Sequence, residues 1–153
     1  MYNRVKGQTR GNLKWKLPTD AGGCIGYRVR RLSRMVSAIY DDAFSPLKLK
    51  ISQFGILAML NRYGPSTAVD LCRLVMMDKS TASRNLQRMR RRGWICLGQQ
   101  GAGLAQRLTL THEGAGILRT AYPLWRRAQD KAARRLGAAG LRALETVMAT
   151  MKD

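Results

Sequence analysis

The chain has 153 residues, 45% of them apolar, which suits one domain with a sizeable core and is too apolar for a disordered segment. Lys and Arg number 28 against 9 Asp and Glu, a net charge of +19 that attracts polyanions and leaves little carboxylate for acid–base chemistry. A single histidine, three widely spaced cysteines without a CxxC pair, and no apolar run of about 18 residues argue against a metal centre, a disulfide framework and a membrane span.

Residues 1–23 carry Arg4, Lys6, Arg10, Lys14 and Lys16 among scattered glycines, with no apolar period. They lead into no apolar stretch and so do not read as a secretory signal. They read either as a loosely docked tail or as a basic N-terminal arm that reaches DNA or a partner subunit, docked through Trp15 and Leu17.

From Cys24 the apolar residues Ile25, Val29, Leu32, Val36, Ile39, Ala43 and Leu47 recur at helical spacing, predicting one helix with a buried stripe. Arg28, Arg30, Arg31 and Arg34 lie off that stripe. SPLKLK breaks the helix, and Ser52 is placed to cap a second one holding Phe54, Leu57 and Leu60, which stops at Gly64-Pro65. Ser66 or Thr67 caps a short third helix, with Asp70 three residues after Thr67 as in a capping box and Leu71 and Leu74 as core contacts.

Asp78 caps the fourth helix, where its carboxylate meets free amides and the positive helix end. Ala82, Leu86 and Met89 give it one narrow apolar face, and Lys79, Ser80, Thr81, Ser83, Arg84, Asn85, Gln87 and Arg88 take the remainder. Gly93 ends it. Trp94 to Leu97 reads as a strand, GQQGAG as a turn and Gln106 to Leu110 as the returning strand. Thr111 caps a long helical region to about Leu136, with Pro123 as its bend or break. A last helix, Gly140 to Met151, sets Leu141, Leu144, Met148 and Met151 on one face. The predicted fold is mainly α with a small β-hairpin wing, in the order of four helices, two strands and two helices.

Two short helices joined by a tight turn and followed by a hairpin describe a winged helix-turn-helix. The second helix of such a pair fits the DNA major groove, about 12 Å wide, when it is pinned on one narrow face and polar elsewhere. Arginines suit guanine edges, Asn85 suits adenine, and serine and threonine suit phosphates or bases. Arg90, Arg91 and Arg92 suit phosphates or the helix's own carbonyl end.

The run MMDKSTASRNLQRMRRRGWI, with D-x-S-T-x-S-R-x-L at residues 78–86, resembles the MarR family of bacterial transcription regulators. CIGYRVRRLSR, IYDDAFSPLKLKISQFGILAML, LTLTHEG and AYPLWRRAQ extend the resemblance over about residues 24–151. It implies a homodimer with interlocking terminal helices and a palindromic operator. The domains expected are the arm (1–23), a helical dimerisation region (24–50 and 112–153) and a DNA-binding lobe (51–111). The motif implies DNA contacts from Ser80, Thr81, Ser83 and Arg84, a phosphate held by Ser66 and Thr67, and a contact from Arg88 further along. Lys79, Asn85 and Arg107 complete the DNA-binding set. Family wings carry an acid and arginines at the tip, whereas GQQGAGLAQR keeps only Arg107; the basic arm is an alternative source of that contact.

Cys24 starts a helix whose dipole and nearby arginines favour a thiolate. Some members of the family sense oxidants through a cysteine in the first helix, with Tyr27 and Tyr40 available here; the alternative is a small packing residue at the dimer interface. Cys72 and Cys96 read as core. His112 reads as structural, and Tyr122, Trp125, Met35 and Met148 as core or dimer interface. The family also implies a small aromatic or phenolic effector between the dimer helices and the lobes. The function expected is a cytoplasmic, nucleoid-associated regulator that binds double-stranded DNA and itself. Repression by occlusion is the outcome expected, with release by such a ligand or by oxidation of Cys24, while the sign of regulation is left open by the sequence. Neither cofactor nor metal nor membrane is expected. No enzyme is expected either: Asp41 and Asp42 are adjacent and diverge on a helix, and no phosphate loop or nucleophile motif is present. A non-specific architectural nucleic-acid-binding protein is the rival.

Overall fold

The computed structural model describes residues 24–98 and 106–151. The arm and residues 99–105 of the wing tip lie outside the described residues. The chain divides into two units, Met1–Arg34 and Met35–Asp153.

The described part of the first unit is the opening of helix α1 (Ile25–Ala43). Ile25 and Val29, placed on a buried stripe by their spacing, are exposed within this chain. In the second unit the close of α1 buries Ile39, and the chain then turns through a short 3-10 helix, Ser45–Leu47. Ser45 Oγ donates to the Asp42 carbonyl at 2.8 Å there. Phe44 and Leu49 flank this turn and are fully buried, worth about 1.5–3 kcal/mol each.

Helix α2 (Ile51–Tyr63) starts differently from its sequence signal. Ser52 was expected to cap it, but the Ile51 amide donates to Asp41 Oδ1 at 2.8 Å and the Lys50 amide to Gln53 Oε1 at 3.2 Å. Asp41 also pairs with Lys50 Nζ at 3.2 Å. Two acceptors from either side already satisfy the free amides, and Ser52 moves into the first turn. Phe54, Ile56, Leu57 and Leu60 face the core. Gly64 closes the helix at φ 74, a conformation open to glycine at little cost.

Strand β1 (Ser66–Thr67) leads into helix α3 (Ala68–Leu74). Thr67, not Ser66, is the cap: the Asp70 amide donates to Thr67 Oγ1 at 3.1 Å, and that hydroxyl donates to Asp70 Oδ2 at 2.7 Å. Leu71 is buried, but Leu74, expected in the core, is 45% exposed because seven residues give the helix only one inward position. Helix α4 (Lys79–Arg91), strand β2 (Ile95–Leu97) and strand β3 (Arg107–Leu110) follow. The antiparallel sheet has the order β1-β3-β2, with Ser66 opposite Leu108 and Cys96 opposite Thr109.

Helix α5 (His112–Thr150) is capped by Thr111, whose Oγ1 accepts from the Gly114 amide at 3.0 Å. Its helical backbone is interrupted at Gly137 (φ 67, ψ 167), one residue past the end expected near Leu136, so α5 consists of two helical segments in the places where the sequence predicts two terminal helices. Helical backbone runs through Pro123, which is exposed and lacks the amide that would otherwise bond the Arg119 carbonyl. One core gathers Phe44, Phe54, Leu57, Met89, Trp94 and Leu108, with Phe44, Phe54 and Trp125 stacked at 5.1 and 6.2 Å. A second, smaller cluster sets Ile39 against Ala128 and Ala132.

Candidate nucleic-acid interface

Helix α4 is built from its cap upward. The Thr81 amide donates to Asp78 Oδ1 at 2.8 Å and Ser80 Oγ donates to the same oxygen at 2.7 Å. These bonds, Ser80 first and Thr81 next, hold the Asp78 carboxyl far below the usual carboxylate range. Ala82, Leu86 and Met89 are buried as their spacing predicts, and this fixes which side of the helix faces out.

Asn85 corrects the sequence reading. It is 7% exposed, and its Nδ2 donates to Ser52 Oγ at 3.2 Å and approaches Met77 Sδ at 3.6 Å. Residues 82, 85, 86 and 89 follow the i, i+3, i+4, i+7 pattern of one face, so Asn85 shares the side of the anchors. It ties α4 to α2 and presents nothing outward. Lys79, Ser80, Ser83, Arg84, Gln87 and Arg88 are exposed and Thr81 is half-buried. Arg84 Nη2 makes only a long bond of 3.4 Å to Thr81 Oγ1, which leaves its other donors unspent.

Three more predicted DNA contacts have partners within the protein. Ser66 is 8% exposed, and its Oγ donates to the Gly64 carbonyl at 3.0 Å, so it faces the protein and not a phosphate. The Thr67 hydroxyl is spent on the α3 cap, beside an Asp70 carboxyl that this same hydroxyl holds below its ordinary range. Arg107 is exposed, but its Nη1 donates to the Pro65 carbonyl at 3.3 Å, which draws it toward β1.

Arg92 has a role that the sequence reading missed. Its Nη1 donates to the Lys48 carbonyl at 2.6 Å, and the guanidinium lies over the Trp94 ring at 4.7 Å. It clamps the end of α4 to the turn before α2. An arginine two residues before a tryptophan was the available signal.

Cys24 is exposed at the N-terminal edge of α1, and Tyr27 is exposed. Tyr40 donates its hydroxyl to Gln129 Oε1, and burial pushes its pKa up. Cys72 is half-buried. Cys96, expected in the core, is exposed, because β2 alternates and buries Ile95 beside it. His112 is exposed. A cavity of about 500 Å³ between α2 and α5 is lined by Phe54, Ala58, Asn61, Arg119, Tyr122 and Trp125. A broader groove of about 1240 Å³ runs along α3, α4 and the sheet past Val69, Met76, Ser83 and Leu97. Among the described residues no group of three or more His, Cys, Asp or Glu could hold a metal ion, and no helix is long and apolar enough to cross a membrane.

A family model described as MarR family matches residues 47–101, which hold the α2-to-β2 segment and with it all of α4. The HTH-type transcriptional regulator PecS of Dickeya dadantii is 30% identical over 92 residues, 58% of this chain and 55% of that protein, so the chain matches about half the length of this relative. BpsR of Bordetella bronchiseptica, whose DNA binding is regulated by 6-hydroxynicotinic acid, superposes with a TM-score of 0.76 over 89% of this chain and 98% of its own, at 22% identity. The M. tuberculosis regulator MosR, solved in complex with DNA, gives a TM-score of 0.67 over 84% and 99%, at 29% identity.

Proposed function

We propose that this chain, which a MarR family model matches over residues 47–101, is a winged helix-turn-helix member of that family and a sequence-specific transcription regulator that docks α4 in the DNA major groove. The observation that carries the reading is the division of α4. Ala82, Asn85, Leu86 and Met89 are buried, and Lys79, Ser80, Ser83, Arg84 and Arg88 are all exposed on the other side. Arg84 offers a bidentate donor pair to a guanine edge, and the serines and Lys79 meet phosphates. The DNA complex of MosR supports the partner.

The active species is a homodimer formed through residues 24–50 and 112–153. Apolar side chains left exposed toward the ends of these segments, Ile25 and Val29 in one and Val147, Met148 and Met151 in the other, support it. Its two α4 helices enter successive major grooves about one helical turn apart on a pseudo-palindrome. It represses by occluding the site, in the cytoplasm on the nucleoid. The basic arm, residues 1–23, adds phosphate contacts beside a wing that keeps only Arg107.

Release follows from a small aromatic effector in the cavity between α2 and α5, where aromatic walls stand beside the Arg119 guanidinium. The 6-hydroxynicotinic acid that regulates BpsR supports this class of ligand. Oxidation of Cys24 is a second trigger, favoured by its exposure at the start of α1.

Selection of bound fragments from a random DNA pool tests the reading. A palindrome preferred about 10³-fold or more over random sequence is expected. A bound pool with no enriched sequence would replace the regulator by a non-specific architectural protein.

A further inference from the structure

We propose that α5 carries a second DNA-backbone surface, separate from the recognition helix and formed by Arg127, Lys131 and Arg134 with Arg126 and Arg135 beside them. The inference rests on the DNA-binding reading and adds a site outside the family-matched residues 47–101.

Residues 127, 131 and 134 recur at i, i+4 and i+7, so they form one row on the helix. Ala128 and Ala132 pack against Ile39, which fixes the helix's rotation and turns that row toward solvent. All five cations are exposed. Asp130 is the one acid between residues 126 and 135. Among the described residues the only ion pair is Lys50 with Asp41, so none of their carboxylates lies within 4 Å of this row. Asp130 is exposed in the same row, so the face carries five cations against one carboxylate and keeps a net positive charge.

The row's chemistry selects its occupant. From Arg127 to Arg134 the helix rises about 10 Å, and duplex DNA presents a phosphate charge about every 1.7 Å of its axis, so several phosphates face three side chains. The homodimer proposed above is drawn from Val147, Met148 and Met151 of this helix, which lie more than three turns beyond the row and leave its cations outside that apolar contact. A lipid surface needs an apolar face beside the cations, and the apolar face here is buried on Ile39.

The test compares the full chain with a variant carrying Arg127→Gln, Lys131→Gln and Arg134→Gln, which keeps good helix formers at exposed positions. Affinity for duplex DNA with long flanks is read by fluorescence anisotropy between about 50 and 200 mM salt. The slope of log K against log salt is expected to flatten by about 2–3, close to 0.9 for each phosphate no longer neutralised, with the ratio of selected to random sequence unchanged. The pair Arg127→Lys and Arg134→Lys keeps the charge and should keep the wild-type slope. An unchanged slope in the glutamine variant overturns the proposal, as does loss of slope in the lysine variant, which would mark disturbed structure. So does a glutamine variant that loses binding only to anionic phospholipid vesicles. Failure of the recognition-helix reading has a different signature: Arg84→Ala leaves the sequence preference intact, whatever the α5 variants do to the salt slope.

Discussion

Gly114 sits against the Trp94 carbonyl, so close that a Cβ on Gly114 would stand 2.0 Å from that oxygen. The surrounding bonds explain the approach. The Thr111 amide donates to the same Trp94 oxygen at 3.1 Å, and Thr111 Oγ1 donates to the Gly93 carbonyl at 2.5 Å. The first turn of α5 is thus joined to the first residues of the wing, and any change there reaches the lobe that carries α4.

Gly114→Ala is expected to destabilise by about 3 kcal/mol or more, because the obstacle is backbone and cannot swing aside. The helix-propensity gain of about 1 kcal/mol is too small to offset it. Gly116, two residues on, has nothing within 4 Å of its would-be Cβ. Gly116→Ala should therefore be neutral or stabilising. Thermal melts of the two variants should move in opposite directions; equal shifts would mean that the Trp94 carbonyl does not bar a side chain at position 114.

The Asp78 cap gives a pH prediction with a definite sign. The folded carboxyl is held below its ordinary value by Ser80 and Thr81, so the folded state binds the proton more weakly than the unfolded chain does. Its contribution is full above the ordinary carboxylate range near pH 4 and is lost as the pH falls below it. Asp78→Ala should lower the melting temperature at pH 7, and the gap to wild type should begin to narrow only below about pH 4 and go on narrowing to the lowest pH at which the chain stays folded. A gap that stays constant with pH would mean that the carboxylate charge plays no part in the cap.

Arg84 and Asn85 are sequence neighbours with separable effects. Arg84→Ala should leave the melting temperature unchanged and cost about 1–3 kcal/mol of specific binding, relaxing the base preference at one position of each half-site. Asn85→Ala removes the partner of Ser52 Oγ in a part-buried setting, and should cost about 1–3 kcal/mol of stability. Its base preferences should keep the wild-type pattern. Parallel melts and binding to single-base operator variants distinguish the two; a changed base preference in the Asn85 variant would return that residue to the DNA face.

Asn85 also marks where the sequence stopped being legible. Ala82, Leu86 and Met89 declared the inner face, and the angle of position 85 placed it there too, but its polarity invited the outward reading. The order of helices and strands was legible because long apolar periods and the caps at Thr67, Asp78 and Thr111 are local signals. The cap of α2 was not, since Asp41 supplies it from ten residues away. Strand β1 has two residues, too few for an alternation to register, and exists only because β3 pairs with it. In α5 the proline expected to bend or break the helix does neither, whereas the end expected near Leu136 is met at Gly137, where the backbone takes a positive φ.

Arg92 separates a structural arginine from its neighbours. It is bonded to the Lys48 carbonyl and stacked on Trp94, while Arg88 is exposed and has no such partner. Arg92→Ala should cost about 1 kcal/mol of stability, a shift of about 2–4 °C in melting temperature for a chain of this size, with little change in the salt slope of DNA binding. Arg88→Ala should reverse the pattern, holding the melt and flattening the slope by about 0.9 if it meets one phosphate. An Arg92 variant that melts like wild type would remove the clamp.

The cavity between α2 and α5 gives the last prediction. Trp125 stacks with Phe54 at 6.2 Å and with Tyr122 at 5.8 Å, so a planar ring entering beside them changes the indole's surroundings. Arg119 is the charged group in the lining and is exposed enough to meet a carboxylate at the rim. On the proposed effector reading, titration with a planar aromatic carboxylic acid should change the tryptophan fluorescence, and the change should vanish in Trp125→Phe, which separates it from Trp15 and Trp94. Arg119→Gln should weaken binding about tenfold or more, equivalent to about 1.4 kcal/mol, if the guanidinium pairs with the acid group. The aromatic walls are untouched by that change, so its residual affinity measures what ring stacking alone contributes. Binding unaffected in both variants would place the effector elsewhere.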